Sequence, residues 1–178
     1  MASALLIIDV QHAVCHGEDA AFDMAAVIQR INSLSAKGRM AGVPVILIQH
    51  EDDGTLSCGS DGWQLDARLQ LHDSDLRVRK TRCDSFRHTD LQELLVSRGV
   101  DHLVICGLQS EFCVESTVRA ALALGYPVTL VADGHSTVDN GVLTGAQISA
   151  HHNTTLANLG SFGPRVTPVP AADVCLSA

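Results

Sequence analysis

Three residues in this chain combine reactive chemistry with a setting that can use it: Asp9, Lys80 and Cys113. A cysteine attacks as its thiolate, and a carboxylate within reach can take the thiol proton as general base. A neighbouring ammonium favours the thiolate and lowers the thiol pKa. Asp9 ends the apolar run that opens the chain, and Lys80 directly follows the run Leu76–Arg79. Cys113 lies just past His102–Cys106, in the first turn of the predicted next helix. That position predicts a lowered thiol pKa, because a helix N-terminus presents free N–H groups and a positive dipole end. The turn Gly107–Phe112 offers backbone N–H groups to a developing oxyanion. The chain has ten Arg but only two Lys, and one Lys stands at position 80 among Arg77, Arg79 and Arg82. A compact ammonium there is not interchangeable with a guanidinium. On position alone both readings stay open. The three residues fit a nucleophilic site, and they equally fit a turn-capping Asp, a packed thiol and a solvated ammonium.

What must position them is an alternation of strand-like and helix-like segments, the pattern of a parallel sheet with helices on its faces. Ala4–Val10 reads as a buried parallel strand. Met24, Val27, Ile28, Ile31 and Leu34 recur at helical spacing, with Gly38 as the expected terminator. Val43–Gln49 is the second predicted strand and Leu76–Arg79 the third. Thr89 and Gln92 have capping-box spacing ahead of Leu91, Leu94 and Leu95, in a helix that stops at Gly99. His102–Cys106 is the fourth strand, Glu111–Leu124 a helix and Val128–Val131 the fifth strand. Gly145, Ile148, His152, Thr155 and Leu159 trace a last helix, and Arg165–Val169 reads as an edge strand because of its prolines. In such sheets ligands bind beyond the carboxyl ends of the strands, so Asp9, Lys80 and Cys113 should converge there. The glycine-rich stretch Glu51–Ser74, with Trp63 in its middle, breaks the rhythm and reads as a long functional loop.

The totals narrow the function. The 178 residues suit one domain over residues 1–178, and 46% hydrophobic with 18% charged residues is a globular composition. A net charge of −8 and 3% aromatics argue against nucleic-acid binding. No stretch approaches a membrane span, and the opening run lacks a signal peptide's basic flank and cleavage site, so the expected location is the cytoplasm. None of the six cysteines forms a C-x-x-C pair, which removes zinc-ribbon and thioredoxin motifs. No G-x-G-x-x-G follows the first strand, which removes a dinucleotide fold.

The segments LLIIDVQ (5–11), RKTRCDSF (79–86) and GLQSEFCVESTVRAALALGYPVTLVADGHST (107–137) resemble the isochorismatase-like cysteine hydrolases over about Ala4 to Leu159. The resemblance implies a three-layer αβα sandwich with a six-stranded parallel sheet and a catalytic triad of Asp9, Lys80 and Cys113. It also implies a cis peptide between Leu108 and Gln109, with the N–H groups of Gln109 and Cys113 as oxyanion hole. Ser110 stands where the family usually has Thr. Gln11, Trp63, Phe86 and Ser110 are the expected substrate contacts. Nicotinamidases of this family hold a metal on an Asp-x-His pair and a later His. Here the matching stretch reads His50-Glu51-Asp52-Asp53-Gly54, with His72 the next His. The expectation is therefore no metal and no cofactor, with His50, Glu51 and Asp52 as polar loop residues. His135, His151 and His152 receive no catalytic role. The implied function is cleavage of a carboxamide C–N bond in a small molecule through a Cys thioester, in a homodimer or homotetramer. The alternatives are vinyl-ether hydrolysis of the isochorismatase type and a non-catalytic binding member of the fold.

Overall fold

A computed structural model describes residues 1–18 and 20–178. Its centre is one six-stranded sheet of parallel strands in the order β3-β2-β1-β4-β5-β6. The strands are β1 (Ser3–Ile8), β2 (Val45–His50), β3 (Leu76–Lys80), β4 (His102–Leu108), β5 (Val128–Ser136) and β6 (Val166–Val169). The helices are α1 (His12–Cys15), α2 (Met24–Met40), α3 (Leu91–Ser97), α4 (Glu115–Ala123) and α5 (Gly145–Ala157). Every residue of β1 is buried, as a strand covered on both faces requires. Leu5, Ile7, Val45 and Leu47 pack with Ile28, Ile31 and Leu34 of α2 on one face. Leu6, Ile8, Ile46 and Ile105 pack with Leu91, Val118 and Leu156 of α3, α4 and α5 on the other. These two cores make the three layers. β6, with Pro168, closes one edge as its prolines predict.

Several boundaries differ from the sequence expectation. α2 runs through Gly38 to Met40, and the left-handed glycine after its end is Gly42, at φ +70°. Gly38 is buried on the face that meets Val45 and Leu176, so tertiary packing outweighs the roughly 1 kcal/mol helix penalty of a glycine. The Thr89–Gln92 capping box does not form. Asp90 is the N-cap, and the Thr89 hydroxyl donates to Ser85 O at 2.7 Å instead. A complete capping box joins Thr144 and Gln147 at the start of α5. β4 and β5 run beyond their apolar stretches, because the ladder resumes at Gly107↔His135 after an irregularity.

The sheet winds outward in both directions from the β1/β4 pair, the switch point at which parallel α/β sheets open a crevice. Gly107 permits the close approach there. It sits at φ +116°, and a Cβ would stand 2.1 Å from the Ile8 carbonyl oxygen. Gly107→Ala is therefore expected to cost roughly 3 kcal/mol or more of folding stability, read as a lowered urea midpoint. An unchanged midpoint would contradict this account of the crossing.

Candidate active site

β1 delivers Asp9 at the crevice in an unusual conformation. Its φ is +50°, in the left-handed region that Asp tolerates better than most residues. The Asp9 N–H donates to Ile48 O at 3.0 Å, and its carbonyl accepts from the Gln11 N–H at 2.8 Å. The strand end is thus tied to β2 on one side and to the start of α1 on the other. β3 delivers Lys80 as its last residue, beside His50 in the parallel ladder. Lys80 is only 2% exposed and Asp9 only 4%.

Cys113 comes from a π-helical turn, Ser110–Val114, that precedes α4. It does not occupy the first turn of an ordinary helix. The Val114 N–H reaches back to Gln109 O at 3.2 Å, the wider spacing that often marks functional sites. The peptide between Leu108 and Gln109, immediately before this turn, is cis.

The three side chains meet around the Lys80 ammonium. Lys80 Nζ donates to Asp9 Oδ2 at 2.7 Å and to Cys113 Sγ at 3.2 Å. A third neighbour is His50 Nδ1, also at 3.2 Å. One Asp9 oxygen, one His50 ring nitrogen and Cys113 Sγ all lie within 4.8 Å of one another. That spacing would also suit a metal ion, but the Lys80 ammonium already places a positive charge among the three. The second carboxylate oxygen, Asp9 Oδ1, is buried with no hydrogen-bond partner among the described residues.

The electrostatics reverse one expectation. Burial pushes the Cys113 thiol well above its ordinary pKa, and the Asp9 carboxylate adds to the rise. Lys80 pulls the other way and does not win. A thiol whose pKa is raised in this way would need a proton acceptor before it could attack. Burial lowers the Lys80 pKa, yet the Asp9 carboxylate and the hydrogen bonds to Asp9 and Cys113 offset it, and the net shift is upward. Lys80 therefore stays an ammonium. Burial, then the Lys80 charge, lower the His50 pKa.

The remaining predicted contacts lie around this centre. Gln11 is fully buried and its amide is spent on backbone. Gln11 Nε2 donates to His50 O and to Trp63 O, each at 2.9 Å, while Oε1 accepts from the His50 N–H at 2.8 Å. It fastens the end of β2 and the long loop beneath the site. The Trp63 ring lies under the Arg79 guanidinium at 5.8 Å, and Arg79 pairs with Glu51 at 2.7 Å. Phe86 stacks on Tyr126 at 6.3 Å and packs against the core. Ser110 is 0% exposed. Its hydroxyl lies 2.7 Å from His135 Nδ1 and 2.9 Å from Ser149 Oγ. His135 Nε2 meets Asn153 Oδ1 at 3.0 Å, and Asn153 Nδ2 donates to Ala132 O at 2.8 Å. Burial holds the His135 pKa below its ordinary value. The structure thus brings Asp9, Lys80 and Cys113 together and turns the polar groups of Gln11 and Ser110 into the protein.

His50, a loop residue in the sequence expectation, is the last residue of β2 and stands beside Lys80. The local signal for it is only that it directly follows the predicted strand Val43–Gln49. Two clefts flank the long loop, one lined by Gln49, Trp63, Arg79 and Glu93, the other by Glu51, Asp52, Cys58 and Arg82.

The isochorismatase domain matches residues 3–164. A streptothricin hydrolase of Streptomyces noursei is 39% identical over 138 residues, which is 76% of this chain and 50% of that protein. The chain thus spans about half the length of the first curated relatives it matches. A ureidoacrylate amidohydrolase of Klebsiella pneumoniae subsp. pneumoniae is 30% identical over 162 residues, or 70% of this chain and 69% of the relative. A crystal structure of an isochorismatase family protein superposes with a TM-score of 0.87 at 38% identity, covering 94% of this chain and 97% of that one. The six-stranded sheet, the helices on both faces and the match across residues 3–164 agree: the chain belongs to the isochorismatase family.

Proposed function

We propose that this protein hydrolyses a carboxamide C–N bond of a small molecule through a thioester on Cys113. The observation that carries the reading is the meeting of Cys113 Sγ, the Lys80 ammonium and the Asp9 carboxylate at the switch point of the sheet. Asp9 takes the thiol proton, and Sγ attacks the amide carbon. Lys80 balances the negative charge that appears as the thiolate forms. The Gln109 and Cys113 N–H groups receive the oxyanion. The C–N bond then breaks and Asp9 returns the proton to the leaving nitrogen. Asp9 next deprotonates a water, which releases the acid and restores the thiol. The unpartnered Asp9 Oδ1 suits a group that must exchange protons with the substrate. Two matched relatives are named as a streptothricin hydrolase and a ureidoacrylate amidohydrolase, which supports a C–N substrate.

The test is a panel of small primary amides and ureido acids, with ammonia release measured and the acyl intermediate trapped by acid quench. The expected result is ammonia release together with an acyl mass on the peptide containing Cys113. Turnover that survives selective alkylation of Cys113, or an acyl mass confined to another cysteine, sinks the reading.

A further inference from the structure

Lys80 poses a problem of partners. An ammonium has three protons and accepts nothing, and a buried charge needs hydrogen bonds as well as a counter-ion. Asp9 and Cys113 take two of those protons. The only other side-chain atom within hydrogen-bonding distance of Nζ among the described residues is His50 Nδ1. Because Nζ can only donate, Nδ1 must present its lone pair, and the ring proton must sit on Nε2. The imidazole is not free to drift. The Gln11 amide grips both the N–H and the C=O of His50, and the ladder holds His50 beside Lys80. The groups near the ring include Lys80 from β3, Asp9 after β1, Cys113 from the turn before α4, Asp52 on the loop and the Arg82 backbone.

We propose that His50 is a positioning residue: as a neutral imidazole it takes the third Lys80 proton and so aims the ammonium between Asp9 and Cys113. This rests on the reading of Cys113 as nucleophile and names the residue that orients its charged partner. Without the third acceptor Nζ can rotate about its own carbon chain, and the thiolate loses a fixed neighbour. The role differs from that of a metal ligand or a base, since His50 exchanges no proton with substrate.

The test compares His50→Leu, His50→Ala and His50→Asn in wild-type and Lys80→Met backgrounds. Asn offers an acceptor oxygen where Nδ1 stands. The primary readout is the rate of Cys113 alkylation by iodoacetamide across pH, followed by peptide mass, which needs no substrate. His50→Leu and His50→Ala are expected to slow alkylation about tenfold at pH 8, as a thiol pKa raised by about one unit would. His50→Asn should keep most of the rate, and none of the three should matter once Lys80 is Met. With an amide substrate, His50→Leu is expected to lower kcat about 10- to 100-fold with little change in KM. Equal rates for Leu and wild type overturn the proposal, as does a Leu effect that persists without Lys80. Should Lys80→Met fail to fold, the Leu-against-Asn comparison decides, and equal loss in both overturns it. Failure of the amidase reading is separate. It would appear as no turnover by the wild type on any amide, with the alkylation pattern intact.

Discussion

Cys113→Ala is expected to lower amide turnover by about 10⁴-fold or more and to leave the cooperative unfolding transition in place. The size follows from the loss of the covalent route, since no neighbouring group can replace the sulfur as nucleophile. Lys80, Asp9 and His50 remain, and so do the N–H groups of the turn, so binding and oxyanion stabilisation should leave a small residual rate. The fold should tolerate the change. Cys113 is only partly buried, and Lys80 keeps Asp9 and His50 as acceptors. Steady-state kcat on the best amide of the panel, beside a thermal melt, checks both halves. Activity above a tenth of wild type would remove Cys113 from the chemistry.

Asp9→Asn should do two kinds of damage, and they can be separated. As the proton carrier for attack and for departure, its loss is expected to cost about 10²- to 10⁴-fold in kcat. Asn also leaves the buried Lys80 ammonium without a counter-ion, which typically destabilises by about 3–5 kcal/mol. Replacing both partners, as Asp9→Asn with Lys80→Met, removes the orphaned charge. The double variant is expected to regain most of the lost stability in a urea titration while its turnover stays as low as that of Asp9→Asn. A double variant no more stable than the single one would show that the ion pair is not what Asp9 contributes to folding. A double variant with recovered activity would remove Asp9 from proton transfer.

The meeting of Asp9, Lys80 and Cys113 was legible because apolar runs mark where strands end, and sheet topology sends those ends to one crevice. His50 was not legible as a member of the site. Its place depends on the register of β2 against β3, a pairing across a long glycine-rich insertion that no local pattern encodes. The thiol pKa was read in the wrong direction for a related reason. A helix start and a nearby Lys can be inferred from sequence, but how far the folded chain covers the thiol, which outweighs them, is a tertiary quantity. Gly38 shows the same limit in α2. Its helix-ending tendency is local, and the packing that overrides it comes from Val45 and the distant Leu176. Gln11 lies near Asp9 in sequence, but only the folded loop shows that its amide is consumed by the backbone of His50 and Trp63.

The chain of contacts from Ala132 to Ser149 has a directional logic. Asn153 gives its amide protons to a carbonyl, so it can only receive from His135. His135 then receives from Ser110 at its other nitrogen, and the Ser110 oxygen is left to receive from Ser149. One amide orientation on α5 thereby sets a tautomer, a rotamer and the seating of the turn that carries Cys113. A shortened polypeptide ending ahead of Gly145 would still contain Asp9, Lys80 and Cys113. It would lack the helix from which this order of protons is dictated. The last third of the sequence, which supplies none of Asp9, Lys80 and Cys113, is in this sense the template against which the turn bearing Cys113 is cast.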